Sequence, residues 1–134
     1  MGAFSNYLET ELLDHTLGEN SRSWASPAAL YVGLCTGSMA DDANVGECNQ
    51  GTYARQAISF DAASGSSAIS TTDTITFPQA TGTSWGVIRG YGIYDATTTG
   101  AGNLLYYASL SSNVTVNVND TVEFAGAAIV VSLD

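Results

Sequence analysis

The hydrophobic positions of the chain follow two different periods. Over residues 4–17 they recur at helical spacing: Phe4, Leu8 and Leu12 stand at i, i+4 and i+8, Leu13 and Leu17 extend the stripe, and Tyr7 flanks it. Glu9, Glu11 and Asp14 take the other face. Ser5 suits the N-cap, because its side-chain oxygen can accept from an orphan amide of the first turn. Gly18 suits the position just past the end, in the left-handed conformation. The pattern predicts one amphipathic helix with an acidic back, docked on its own sheet or on a neighbouring subunit.

From Ala29 onward the period is two. Leu30, Val32 and Leu34 alternate with Tyr31, Gly33 and Cys35. A loop rich in Gly, Asp and Asn covers 36–51, and alternation resumes over 52–60, with Ile58 and Phe60 on one face and Arg55 on the other. Short strands are predicted over 68–72 and 73–77, the second stopped by Pro78. The longest runs over 85–94. There Val87, Tyr91 and Ile93 share a face with Arg89, and Gly90 and Gly92 on the other face point to a bulge or a close backbone approach. Strands over 104–110, 114–118 and 122–133 follow, the last after a tight turn at Asn119-Asp120. Short strands with frequent turn signals favour a sandwich or jelly roll over βαβ units. The expected fold is mainly β: one domain over 1–134, with a docking helix over 1–18 and an antiparallel β-sandwich or jelly-roll-like body over 29–134. A polar connection with Trp24 and Pro27 joins the two parts.

Composition narrows what such a domain does. The chain has 134 residues, enough to bury a core without a metal or disulfide. Charged residues make up 12%, about half the usual ~25%, and the formal net charge is −10. There is no lysine, and Arg22, Arg55 and Arg89 face thirteen acids. Nucleic-acid affinity comes mostly from neutralising phosphates with Lys and Arg, so nucleic acid and anionic membranes are excluded as partners. No apolar run approaches the ~20 residues of a membrane helix. The N-terminus lacks a basic region followed by an apolar one, so use without Sec export is expected.

The candidate chemistry is sparse. His15, the one histidine, has no nucleophile motif beside it, and a surface histidine on a helix flank is the simpler reading. Asp41, Asp42 and Glu47 lack the ligand spacing of a calcium loop. A pair of glycosidase carboxylates arises easily by chance among thirteen acids. The sequons at Asn113 and Asn119 are short enough to be accidental. Trp85, Tyr91, Tyr94, Tyr106 and Tyr107 would serve a carbohydrate platform or an interface, against a plain reading as core and cross-strand packing. Tyr106 and Tyr107 are consecutive and must point to opposite faces. Cys35 and Cys48 bracket a loop that a disulfide would close; two reduced thiols are the default for a protein made in a cytoplasm. Arg55 and Arg89 lie within strands, where each needs a carboxylate from its own chain or from a neighbour. No catalytic residue, metal or cofactor is expected. The candidate interface residues are Phe4, Tyr7, Leu8, Leu12, Arg55 and Arg89.

Several stretches taken in order resemble a family of small bacteriophage virion structural proteins, often labelled tail-fibre-like. They are Phe4-x-x-Tyr7-Leu8-Glu9-x-x-Leu12-Leu13-Asp14, Tyr31-Val32-Gly33-Leu34, Gly51-Thr52-Tyr53-Ala54-Arg55-Gln56 and Thr76-Phe77-Pro78-Gln79-Ala80-Thr81-Gly82. Ser84-Trp85-Gly86-Val87-Ile88, Gly92-Ile93-Tyr94-Asp95-Ala96, Gly102-Asn103-Leu104-Leu105 and Ser132-Leu133-Asp134 complete the set. The resemblance spans nearly the whole chain, carries no catalytic motif, and leaves the two cysteines outside its pattern.

Long fibres usually need long chains and repeats, and this chain has neither. The expectation is therefore a non-enzymatic capsid decoration (cement) protein that stabilises the assembled head. The alternative is a tail-fibre or baseplate adhesin module binding host-surface glycan. Expected partners are other virion proteins, either the major capsid protein or tail proteins, together with further copies of the chain in a homo-oligomer. The expected location is the virion, assembled in the host cytoplasm.

Overall fold

The computed structural model describes residues 3–18, 25–38, 46–62 and 68–132. Its elements are β1 (Ala3–Phe4), α1 (Asn6–Leu17), β2 (Leu30–Cys35), β3 (Gln56–Ile58), β4 (Ala68–Ser70), β5 (Ile75–Thr76), β6 (Gly86–Tyr94), β7 (Leu104–Val116), β8 (Glu123–Phe124) and β9 (Val130–Ser132). Strands β1-β7-β6-β2-β3 form a five-stranded sheet, and β4 with β9 and β5 with β8 form two short ladders. All the pairings are antiparallel, so the fold is mainly β with one N-terminal helix.

The alternation in β2 places the core. Val32 and Leu34 are fully buried on one face and pair with Ile93 and Tyr91 of β6. Ile75, Phe77, Ile129 and the partly buried Phe124 and Val131, from the ladders and their flanks, pack into the same cluster. Tyr53 and Phe77 both meet Trp85 edge-to-face, at centroid distances of 5.5 and 6.5 Å, an arrangement favoured by the ring quadrupoles. The second layer opposite the sheet thus consists of two short ladders.

A bulge joins what the pattern separates. Gly90 opposes Ser109 and Ile88 opposes Val114, so residues 110–113 arch opposite Arg89. The two strands expected over 104–110 and 114–118 are one strand, β7. The same shift brings Ile88 into the core with Tyr91 and Ile93, where strict alternation would set it apart. The strand expected over 52–60 shortens to β3, because Tyr53 turns into the aromatic core and Arg55 turns away from it. The run over 122–133 breaks into β8 and β9 around Ala127, which has φ 61°. The turn at Asn119-Asp120 forms as expected, with Asn119 at φ 76°.

At the N-terminus β1 pairs with Tyr106 and Tyr107 of β7, and Ser5 then does two jobs. Its side chain accepts from the Leu8 amide at 3.3 Å as N-cap and donates to the Leu104 carbonyl, while its own amide donates to the Leu105 carbonyl at 2.9 Å. Gly18 ends the helix with an extended backbone (φ −65°, ψ 139°), not in the left-handed region. Its glycine identity follows instead from close approach, since a Cβ there would lie 2.6 Å from the Asp14 carbonyl oxygen.

Candidate functional site

Helix α1 is held at its beginning and free along its length. Phe4 meets Tyr106 edge-to-face at 5.0 Å, and Leu8 is buried at 5% exposure beside Leu105 and Tyr106. Beyond that point burial stops: Leu12 is 38% exposed, Leu13 59% and Leu17 74%. At about 3.6 residues per turn, Leu13 and Leu17 fall on the side away from Leu8, between Glu9 and Asp14. The sequence stripe is therefore two faces. One is a single leucine turned inward; the other is an outward pair flanked by carboxylates. Leu8, buried, and Phe4, half-buried, anchor the helix to the chain's own sheet. Tyr7 and Leu12 remain exposed.

The face of the sheet away from the core carries a second construction. Gly33 of β2 and Gly92 of β6 are register partners, and the Tyr94 ring lies against both. A Cβ on Gly33 would meet the Glu47 Oε1, the Tyr53 hydroxyl and the Tyr94 ring at 2.7, 2.8 and 2.9 Å. On this glycine shelf sits the ion pair Arg55–Glu47, with Nε to Oε1 at 2.7 Å and Nη2 to Oε2 at 2.8 Å. The Arg55 guanidinium carbon stands 3.6 Å from the Tyr94 ring centroid, a cation–π contact. The remaining donors and acceptors go to the main chain. Arg55 Nη1 donates to the Ala96 and Ala101 carbonyls at 2.6 and 2.9 Å, and the Gly100 amide donates to Glu47 Oε2 at 3.2 Å. Tyr53 donates to Glu47 Oε1 at 3.0 Å and accepts from the Leu34 amide at 2.9 Å. Asp95 closes the base of the same β6–β7 loop by accepting from the Asn103 amide and side chain.

Arg55 thus has its carboxylate within the chain and is buried, at 4% exposure. Its partner Glu47 could not be read from periodicity, because it comes from the loop that precedes β3. Gly92 was legible as a close-approach glycine; Gly33, its partner across the strands, was not. Arg89 is exposed, and its Nε donates to the Thr36 carbonyl at 3.2 Å; Arg55–Glu47 is the single ion pair among the described residues.

Cys35 and Cys48 are free, buried thiols rather than a disulfide. They are close in the chain pairing, since Cys35 bridges Glu47 and the Cys48 amide donates to Leu34. Their side chains diverge. Cys48 joins Val32 and Leu34 in the core, whereas Cys35 lies on the shelf face, 4.0 Å from the Tyr94 hydroxyl. A bridge needs converging Cβ vectors, and alternation sends these two to opposite faces. Burial pushes the Cys35 thiol up to about 12, opposed by its contact with Tyr94 and assisted by Glu47. The same cause raises Cys48, Tyr53 and Tyr94.

Among the aromatic candidates, Trp85 and Tyr94 are buried and Tyr91 and Tyr106 pack against the core. Tyr107, opposite Gly92, takes the other face from Tyr106, as consecutive strand residues must. His15 is exposed in the last turn of α1. Asp41 and Asp42 lie outside the described residues, and the Glu47 carboxylate is taken up by Arg55.

The geometry is that of an antiparallel β-domain with a locked loop at one end and an outward apolar helix face. The family model described as "Podophage GP4 fiber I protein gp80" matches residues 3–132, and the chain belongs to this phage fibre family. Among curated proteins none matches it. Membership gives the protein the standing of a bacteriophage virion structural protein of the fibre kind.

Proposed function

We propose that the protein is a non-enzymatic building block of the fibre apparatus of a short-tailed phage, attached to the particle through α1. One observation carries the reading. A twelve-residue helix buries one leucine and turns two others outward, in a chain whose family is that of a podophage fibre protein. Leu13 and Leu17 leave an apolar pair on its outer face, which a partner surface would remove from water. No membrane role enters the proposal; no helix among the described residues is long and apolar enough to cross one.

The homo-oligomer expected from the sequence belongs to the same proposal. Residues 111–115 of β7 are exposed on both faces and carry no charge. Asp120 and Glu123 line a depression with Val114 and Thr115, so two copies of net charge −10 would meet over the uncharged end at 111–113.

Gold-labelled antibody on intact particles tests the assignment. Label on the tail is expected. Label over the head would replace this reading with the decoration role that size and acidity suggested, and absence from purified particles would end both. The glycan-binding alternative draws less support, since Trp85 and Tyr94 of its aromatic platform are buried.

A further inference from the structure

Taking the particle role above as its basis, we infer that the outer face of α1 seats in an apolar groove rimmed by Lys or Arg on a different protein of the particle, not on a second copy of this chain. Three observations select that occupant. First, Leu13 and Leu17, 59% and 74% exposed, are one helical turn apart and form an i, i+4 pair of the kind read by a helix-binding groove. Second, Glu9 and Asp14 run along the two sides of that pair, so a groove that closes over the leucines brings its rim against carboxylates. A basic rim gains from this, and an acidic or apolar rim loses. Third, the chain has three basic residues in all. Arg55 is buried against Glu47, Arg22 lies outside the described residues, and the exposed Arg89 is one cation on β6, too few to rim a groove on both sides. A second copy would oppose acids with acids, at net charge −10 on each side.

The way the helix is mounted supports the same conclusion. Ser5, Phe4 and Leu8 fasten the first turns to β7, and the last two turns stand free of the chain's own core. The attachment is rigid at one end and open at the other. A partner can therefore close around residues 10–17 without disturbing the sheet.

The test uses the full chain supplied during infection by a phage lacking its own copy. Leu13→Ser with Leu17→Ser, and separately Glu9→Lys with Asp14→Lys, should each lower the amount of this protein in purified particles at least tenfold. The circular dichroism of both purified variants should match the parent chain, because none of the four side chains is buried. A photo-crosslinking residue at Thr16, on the margin of the face, should give a conjugate with another particle protein at a peptide carrying Lys or Arg. Parent-level incorporation of either double variant overturns the inference while leaving the particle role intact, and so does a conjugate between two copies of this chain. Absence of the parent chain from particles defeats the particle role itself.

Discussion

Gly33 and Gly92 face each other across β2 and β6, and their missing side chains make the bed on which the Tyr94 ring and the Arg55–Glu47 pair rest. Any side chain at either position competes for the space of that ring. Gly33→Ala should destabilise the fold by about 1–3 kcal/mol, the usual range for forcing atoms into a packed site. Urea unfolding followed by tryptophan fluorescence reads the change. A loss under about 0.5 kcal/mol would mean that Tyr94 moves aside freely and that the shelf does not constrain it.

Removing one partner of the ion pair should be worse than removing both. Arg55→Met leaves the Glu47 carboxylate buried with neutral donors alone, a change expected to cost about 3–5 kcal/mol. Arg55→Met combined with Glu47→Gln should recover part of that loss, because no uncompensated charge remains. Additive losses in the double-mutant cycle would contradict direct coupling.

The thiols give a stability profile with a definite sign. Folded Cys35 holds its proton to about 12, against an ordinary value of 9.0 once exposed. Above pH 9 the unfolded chain therefore binds fewer protons than the native one, and stability falls with rising pH. The contribution is complete below pH 9 and is lost as pH climbs towards 12; Cys48 acts in the same direction. Urea midpoints measured from pH 7 to 11 should decline, and Cys35→Ser should flatten the decline. In native chain neither thiol should react with iodoacetamide at pH 8, whereas both should after unfolding.

Ser5→Ala should uncouple the helix from the sheet. The substitution leaves the Leu104 carbonyl and the Leu8 amide without their side-chain partner, at about 1–2 kcal/mol for a lost cap in a buried setting. Amides of α1 should lose hydrogen-exchange protection while those of β2 and β6 keep theirs. Uniform loss over all three would show the helix to be part of one cooperative core.

Much of this architecture could be read from alternation alone. β2 and β6 fall within a residue of where the pattern puts them, because both are runs of apolar and small residues bounded by turn signals, even though both faces become buried. Alternation fails where something interrupts it. The arch opposite Arg89 hides the continuity of β7, and the glycines of β6 signal it only after the register is known. Helical periodicity located α1 but could not say which leucines turn inward, since hydrophobicity is the same for a core contact and for a surface awaiting a partner. Spacing likewise put Cys35 near Cys48 without revealing that they lie on opposite faces. The charge of Arg55 announced a buried carboxylate; nothing local named Glu47.

The contacts that hold the β6–β7 loop fall on its main chain, with two carbonyls to Arg55 and one amide to Glu47, and on the Asp95 and Asn103 side chains that clasp its base. None of them involves the side chains of Thr97, Thr98 or Thr99. The shape of this loop is thus encoded elsewhere in the chain, and the three threonines are left as interchangeable text on a fixed page. A library randomised at these three positions should fold as the parent does, because the tip's surface can change while its support stays the same.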